Sequence, residues 1–270
     1  MSRTEQFHGW DDVRESGPEG APRRVLLLPG ALCGTAFLAD VMAAPPLAAA
    51  PVRVVAATVP GFAGTPAPAD TSMENYAALA GALAAEHGCQ VMAGHSFGAN
   101  IALEAAAGGH FAGPVVLLSP TFSRPDEFRE LAMADRLGRL PAVGGLVWPA
   151  MVRLTPHAMA DELPAARRDA LSAELRRNDP ASCRRILRDY FDYLDRHGSL
   201  VPRLVSAGTR AWVVRGDRDE IGLTDQEYEG LSASPRIHMV TVPHAGHMSV
   251  TDQPDRIAAL LAEVAAGPYG

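Results

Sequence analysis

Short apolar runs alternate with amphipathic stretches along most of the chain. Six of these runs are rich in Val, Leu and Ala, which is typical of strands buried on both faces of a sheet. They are 24–28, 52–58, 90–94, 115–119, 211–216 and 236–242. Because helical stretches separate them, we expect a mostly parallel, doubly wound α/β sheet flanked by helices, with right-handed crossovers. We expect the polar residues 1–22 to form a short edge hairpin or to fray.

One of the intervening helices has signals at both of its ends. Thr71 and Glu74 have the spacing of a capping box, in which each side chain binds the backbone of the other. The sequence therefore predicts a helix over 73–87. Gly88 follows it in the position where glycine commonly ends a helix.

The pattern changes between 121 and 207, where amphipathic pieces occur without any strand-like run. The clearest piece begins at Asp179 and Pro180, an N-cap followed by proline at the first helical position, and ends at Gly198. A helical insertion of this size between two sheet strands predicts a cap, or lid, over the strand ends, where open α/β sheets bind ligands. The predicted division is 1–120 and 208–270 for the α/β core and 121–207 for the cap.

Composition narrows the possible functions. The net charge of −7 argues against nucleic acid or an anionic membrane as partner. The chain has no lysine, which excludes a pyridoxal Schiff base, a P-loop lysine and a Ser-Lys dyad. Its 3 cysteines are far apart and form neither a disulfide framework nor a zinc site. Without an apolar leader or a membrane span, we expect a cytoplasmic protein.

The pentapeptide Gly94-His95-Ser96-Phe97-Gly98 matches the G-x-S-x-G pattern and lies between an apolar run and an alanine-rich stretch. Such a strand-to-helix turn exposes its central side chain and needs glycines, because strand and helix approach closely. Ser96 is therefore a candidate nucleophile, with a helix N-terminus beneath it that favours negative charge.

A serine nucleophile needs a base and an acid that orients the base. His244 and His247 both follow the last apolar run, and Asp217, Asp219 and Glu220 follow the run before it. The order Ser, Asp, His is the order expected when the serine occupies such a turn. The pattern by itself leaves open which histidine and which carboxylate would take part.

At these motifs the chain resembles the α/β-hydrolase fold family over nearly its whole length. The matching motifs are Pro29-Gly30 after the first strand, Pro60-Gly61-Phe62-Ala63-Gly64 after the second, the Gly94–Gly98 turn, Gly216-x-x-Asp219 and Gly246-His247. The resemblance implies that Ser96 is the nucleophile, Asp219 the acid and His247 the base. It also favours His247 over His244, which we expect to be a surface or loop residue.

The resemblance also implies an oxyanion hole, a pair of backbone N–H donors that would belong to Ala31 and Phe97. Many members of the family have His-Gly where this chain has Pro29-Gly30, so a histidine that supports this loop is missing. Ala31 and Phe97 would donate through main-chain groups, which any residue supplies.

The activity implied by this resemblance is hydrolysis of a small to medium ester, thioester or lactone with an apolar acyl portion. Neither a metal nor a cofactor is required. Haloalkane dehalogenases and epoxide hydrolases of this fold use an aspartate nucleophile, so the serine argues against those activities. C–C bond hydrolases, perhydrolases, hydroxynitrile lyases and a non-catalytic ligand receptor remain alternatives, and the oligomeric state is open.

Other residues near these motifs have ordinary structural interpretations. We expect His95 to point back toward the sheet and to pack there, and Cys33 to be a small apolar loop residue. Large apolar residues of the insertion more often hold cap helices together than line a pocket. They are Met133, Trp148, Met151, Met159, Tyr190 and Phe191.

Overall fold

The computed structural model describes residues 9–141, 143–160 and 162–267, and within these ranges seven strands form one sheet. The strands are β1 (Val13–Ser16), β2 (Arg23–Leu28), β3 (Val52–Ala57), β4 (Val91–His95), β5 (Val115–Leu118), β6 (Ala211–Gly216) and β7 (Ile237–Val242). Their order is β1-β3-β2-β4-β5-β6-β7, and every neighbouring pair except β1 with β3 is parallel. The predicted mostly parallel α/β sheet is confirmed.

The edge strand β1 pairs antiparallel with β3, with Val13 opposite Ala57. We expected an edge hairpin or fraying over 1–22, and neither describes residues 13–16, which form a single edge strand of the main sheet. Both edges of β2 are taken by the parallel strands β3 and β4, so β1 can only extend the sheet beyond β3. Residues 1–8 lie outside the described part of the chain.

Helices cover both faces of the sheet, as the doubly wound prediction requires. In the described ranges they are α1 (Ala39–Ala43), α2 (Pro45–Ala49), α3 (Met73–Glu86), α4 (Phe97–Ala107), α5 (Arg129–Gly138), α6 (Gly144–Ala158), α7 (Arg168–Leu175), α8 (Pro180–His197), α9 (Val201–Ala207), α10 (Asp225–Ser232), α11 (Ser249–Asp252) and α12 (Pro254–Ala266). Two apolar clusters fill the space between helices and sheet, one with α1, α2 and α12 and the other with α3, α4 and α8. Within the described ranges, no helix has both the length and the apolar character needed to cross a bilayer.

The predicted capping box before α3 is not present. Ser72 is the N-cap, and its side chain accepts a hydrogen bond of 3.3 Å from the Asn75 amide. The Thr71 hydroxyl donates instead to Asp189 of α8. The Thr71 hydroxyl is therefore engaged by a residue distant in the chain, and the next residue, Ser72, caps α3. Gly88 has a φ of +61° directly after the helix, as its predicted role requires.

The described residues between β5 and β6 form helices and connecting turns only. The amphipathic helix α8 begins as predicted, with Asp179 accepting a 2.8 Å hydrogen bond from the Ser182 amide, and Gly198 follows its end with a φ of +68°. Helix α9, the last of these helices, packs mainly against α4 and α10 of the sheet layers. The last helix of this segment is thus part of the core packing.

A buried carboxylate connects α4, α8 and α9. Glu104 of α4 is 2% exposed and accepts hydrogen bonds from the Tyr193 hydroxyl, at 2.7 Å, and from Arg203 Nε, at 2.9 Å. A buried carboxylate is tolerated only when charge and hydrogen bonds compensate for its lost hydration. The three side chains therefore depend on one another.

We expect Glu104→Ala to lower the free energy of unfolding by about 2–4 kcal/mol, because it leaves Tyr193 and the partly buried Arg203 without their acceptor. Denaturant unfolding measures this change. Glu86→Ala, at an exposed position in α3, is the control and should change stability by less than about 0.5 kcal/mol. Equal effects of the two substitutions would contradict the role given to Glu104.

Candidate active site

The G-x-S-x-G segment forms a sharp turn between β4 and α4. Ser96 has φ +51° and ψ −118°, a conformation that costs a non-glycine residue about 1–3 kcal/mol. A Cβ atom on Gly94 would lie 2.1 Å from the Gly98 carbonyl oxygen, and one on Gly98 would lie 2.5 Å from that of Pro29. Both glycines are required because backbone meets backbone at these positions.

His247 and Asp219 are brought together by the loops that follow β7 and β6. Nδ1 of His247 lies 3.1 Å from Oδ1 of Asp219, which also accepts a 3.0 Å hydrogen bond from the Ile221 amide. Burial acts to raise the pKa of Asp219, but the hydrogen bond and charge of His247 outweigh it and hold this pKa below its usual value. An ionised carboxylate therefore faces the imidazole at neutral pH.

The other candidate histidine and carboxylates have different surroundings. His244 is exposed, has a φ of +63° and places Nδ1 3.3 Å from a guanidinium nitrogen of Arg218. Asp217 is exposed, and hydrogen bonds from the His244 and Ala245 amides lower its pKa. Glu220 lies at the cavity described below but has no hydrogen bond to His247.

The backbone carbonyl of His247 is held by two buried side chains that the sequence did not single out for this role. His95 places Nε2 2.8 Å from this oxygen, and the Ser119 hydroxyl donates to it at 3.2 Å. Burial, and secondly the neighbouring His247, lower the pKa of His95 to about 3, so its ring is neutral and donates through Nε2–H. His95 is buried as expected, but it also fixes the loop that carries His247 and does not merely pack on the sheet.

Two backbone N–H groups close to Ser96 are free to bind a ligand. Ala31 follows β2, and Phe97 is the first residue of α4. Across the ranges that the structure describes, neither amide has a hydrogen-bond acceptor. Such N–H groups, one of them at a helix N-terminus, are suited to bind an oxyanion.

A cavity of about 640 Å³ is lined by Ser96, Phe97, Ala31 and His247. Its walls are mainly apolar and include Leu32, Leu131, Met151, Leu154, Met159 and Met248. The Phe128 ring meets the His247 ring edge to face, with centroids 4.7 Å apart. The size and apolar lining suit a small organic ligand.

The large apolar residues of the helical segment have different positions. Met151, Met159 and Tyr190 line the cavity, although we expected them to hold helices together. Trp148 and Phe191 are buried as expected, and Met133 is 59% exposed. Cavity-lining, buried and exposed residues of this segment all occur at helical spacing, so the sequence pattern does not distinguish these three environments.

The donor groups of the site do not form a metal centre. The described ranges contain no group of three or more His, Cys, Asp or Glu side chains able to hold an ion. Cys33 lines the cavity, but burial raises the pKa of its thiol, which keeps it protonated and weakly nucleophilic. Cys33, Cys89 and Cys183 are all free.

The model of the alpha/beta hydrolase family matches residues 25–260 of the chain. The protein belongs to this family. Solved structures of similar fold accord with the assignment. A thermophilic esterase from Thermogutta terrifontis has 17% identity and a TM-score of 0.68, with 94% of each chain covered. A hydrolase from Oleispira antarctica has 16% identity and a TM-score of 0.68, with 97% of this chain and 96% of that chain covered.

A third fold relative of this alpha/beta hydrolase, AqDC, was solved with its product and cleaves the ring of the Pseudomonas quinolone signal. It has 17% identity and a TM-score of 0.74, with 95% of this chain and 96% of that chain covered. No curated protein sequence matches the chain significantly. At these identities the structural likenesses concern the fold, and the chemistry has to be argued from the site.

We expect Gly98→Ala to lower the midpoint of thermal unfolding by roughly 8–15 °C, because the new methyl group meets the carbonyls of Leu28 and Pro29. Gly145→Ala is the matched control, since a Cβ there has no neighbour within 4 Å. Calorimetry of both variants measures the difference. A Gly98→Ala protein as stable as Gly145→Ala would show that the approach of α4 to the loop after β2 is not obligatory.

Proposed function

We propose that this protein is a serine hydrolase that cleaves a small to medium carboxylic ester, thioester or lactone through an acyl-enzyme on Ser96. The observation that carries the proposal is the hydrogen bond between His247 and the buried Asp219, with His247 lining the same cavity as the strained Ser96. A base with an orienting acid, lining the same cavity as a serine hydroxyl, is the arrangement expected for an activated serine.

In the proposed reaction the Ser96 oxygen attacks the carbonyl carbon while His247 accepts the hydroxyl proton. Asp219 holds the imidazole tautomer and stabilises the imidazolium. The N–H groups of Ala31 and Phe97 bind the oxyanion, a type of contact whose loss typically costs about 10²–10³ in rate. His247 protonates the leaving group, and water then attacks the acyl-enzyme with His247 as base.

We also propose that the helical segment over the cavity acts as a cap. Met151, Leu154 and Met159 of this segment line the same cavity as Ser96, which favours an apolar acyl portion. The cap predicted over 121–207 would end before α9, because α9 packs in the core.

A C–C bond hydrolase, a perhydrolase and a hydroxynitrile lyase would use the same three side chains, and no contact in the cavity favours one of them over ester hydrolysis. A receptor without activity would not require a base oriented by a buried acid. Reaction with a fluorophosphonate probe separates the hydrolase from the receptor, because only an activated Ser96 is labelled.

We expect Ser96→Ala and His247→Ala each to reduce ester hydrolysis by on the order of 10⁴–10⁶-fold, because the nucleophile and its base act as a unit. Hydrolysis of p-nitrophenyl butyrate measures this loss. The matched control is His244→Ala, which removes the exposed histidine of the same loop and should leave kcat within about 3-fold. A larger loss in His244→Ala than in His247→Ala would contradict the assignment of the base.

The charges around the cavity favour an uncharged substrate. Glu130, Glu162 and Glu220 line it and are exposed at its mouth, and no arginine of the described ranges lines it. Partial burial raises the pKa of Glu162; the charge of His247 opposes this shift, and the charges of Glu220 and Asp252 add to it. A substrate with its own carboxylate would be repelled by these glutamates and would find no arginine with which to form an ion pair.

We expect p-nitrophenyl butyrate to have a kcat/KM at least about 10-fold above that of mono-p-nitrophenyl succinate, which ends in a carboxylate, because like charges repel. Glu162→Gln should reduce the ratio of the two kcat/KM values because it removes one negative charge. Added salt should also reduce the ratio, because it screens the exposed carboxylates. Steady-state kinetics at two ionic strengths test both effects. Equal kcat/KM values for the two esters would refute a selective role of the carboxylates.

A further inference from the structure

The loop that carries Ala31 is strained. The Gly30 carbonyl accepts a 3.2 Å hydrogen bond from the Cys33 amide, which closes a tight turn with Ala31 and Leu32 at its centre. Leu32 has a φ of +67°, a region that leucine rarely adopts. A turn with this conformation persists only when surrounding contacts impose it.

The surrounding contacts come from the helical segment between β5 and β6. Asn178, which lies between α7 and α8, donates through Nδ2 to the carbonyls of Leu32, at 2.7 Å, and Leu175, at 2.9 Å. Its Oδ1 accepts a 2.9 Å hydrogen bond from the Ala63 amide. Asn178 is 6% exposed, so water cannot readily replace these partners.

Ala63 belongs to the second loop at this edge of the sheet and has a φ of +48°. One amide side chain therefore holds two loops, each at a residue with an unfavourable positive φ. An amide is suited to this position because it donates to the carbonyl of one loop and accepts from the N–H of the other.

Glu174 of α7 adds a second attachment to the first loop. Its Oε1 accepts a 2.8 Å hydrogen bond from the Gly34 amide, and the residue is 7% exposed. Asn178 and Glu174 thus bind the loop on the carboxyl side of Ala31, at Leu32 and Gly34.

We propose that Asn178, assisted by Glu174, is the positioning residue that sets the Ala31 N–H in the oxyanion hole. The inference rests on the proposed hydrolase function. Pro29 occupies the place where many family members have a supporting histidine, and here the support comes from the helical segment. The helical segment that contributes Met151, Leu154 and Met159 to the cavity thus also binds the loop that carries Ala31.

The test compares Asn178→Ala, Glu174→Ala and Glu174→Gln with the wild-type protein. We expect Asn178→Ala to lower kcat for p-nitrophenyl butyrate by about 10–100-fold and to change KM by less than about 3-fold, because a displaced donor weakens binding of the transition state only. The inhibition constant of 1-butaneboronic acid, whose tetrahedral adduct with Ser96 places an oxygen in the oxyanion hole, should rise by a similar factor.

Glu174→Ala should produce a smaller loss of the same kind, and Glu174→Gln should restore it because glutamine retains the acceptor for the Gly34 amide. The control is Arg185→Ala, which removes a 2.9 Å hydrogen bond from α8 to the Pro68 carbonyl and should leave kcat and boronate affinity unchanged. If Asn178→Ala does not fold, the comparison of Glu174→Ala with Glu174→Gln tests whether contacts from the helical segment position the Ala31 N–H.

Unchanged boronate affinity in the folded variants, or an equal loss in Arg185→Ala, would overturn the positioning role while leaving the hydrolase proposal intact. A wild-type protein that neither hydrolyses the ester nor reacts with a fluorophosphonate would instead overturn the proposed function, and this inference with it. Thermal unfolding of each variant separates lost positioning from lost folding.

Discussion

The candidate site depends on one contact between backbones, that of Gly98 with the carbonyls at the end of β2. No side chain fits there, since a Cβ on Gly98 would lie 2.7 Å from the Leu28 oxygen and 2.5 Å from that of Pro29. The contact sets how closely α4 approaches the loop after β2. As a result, one cavity at this edge of the sheet is lined by Ala31, Ser96 and Phe97.

The other loops and helix α8 are attached to this edge by buried side chains. The carbonyl of His247 receives hydrogen bonds from His95, the last residue of β4, and from Ser119, directly after β5. Helix α8 reaches the same point through Tyr190, whose ring lies 5.2 Å from that of Phe97 in an edge-to-face contact. Residues without a proposed chemical role thus determine where the proposed base and the helical segment lie, as buried polar networks commonly do.

Much of the sheet could be predicted because its strands are buried on both faces and their sequences are continuously apolar. Local capping signals were reliable where the side chain had no other partner, as at Asp179, and misleading where it did, as at Thr71. The pairing of β1 with β3 was not predicted, because strand order depends on which sheet edges are free, and a sequence read locally does not contain that information.

The sequence by itself determined the fold class, through its buried apolar runs, and the turn at Ser96, through a short motif. The resemblance to the family then selected Asp219 and His247 among several candidate carboxylates and histidines. The tertiary structure decided the rest. It joined His247, and not His244, to the buried Asp219 carboxylate by a hydrogen bond, and it placed His95 against the His247 carbonyl. It also placed Asn178 against two loops more than 100 residues away in the chain. Such contacts join distant segments, and no local pattern of residues encodes them.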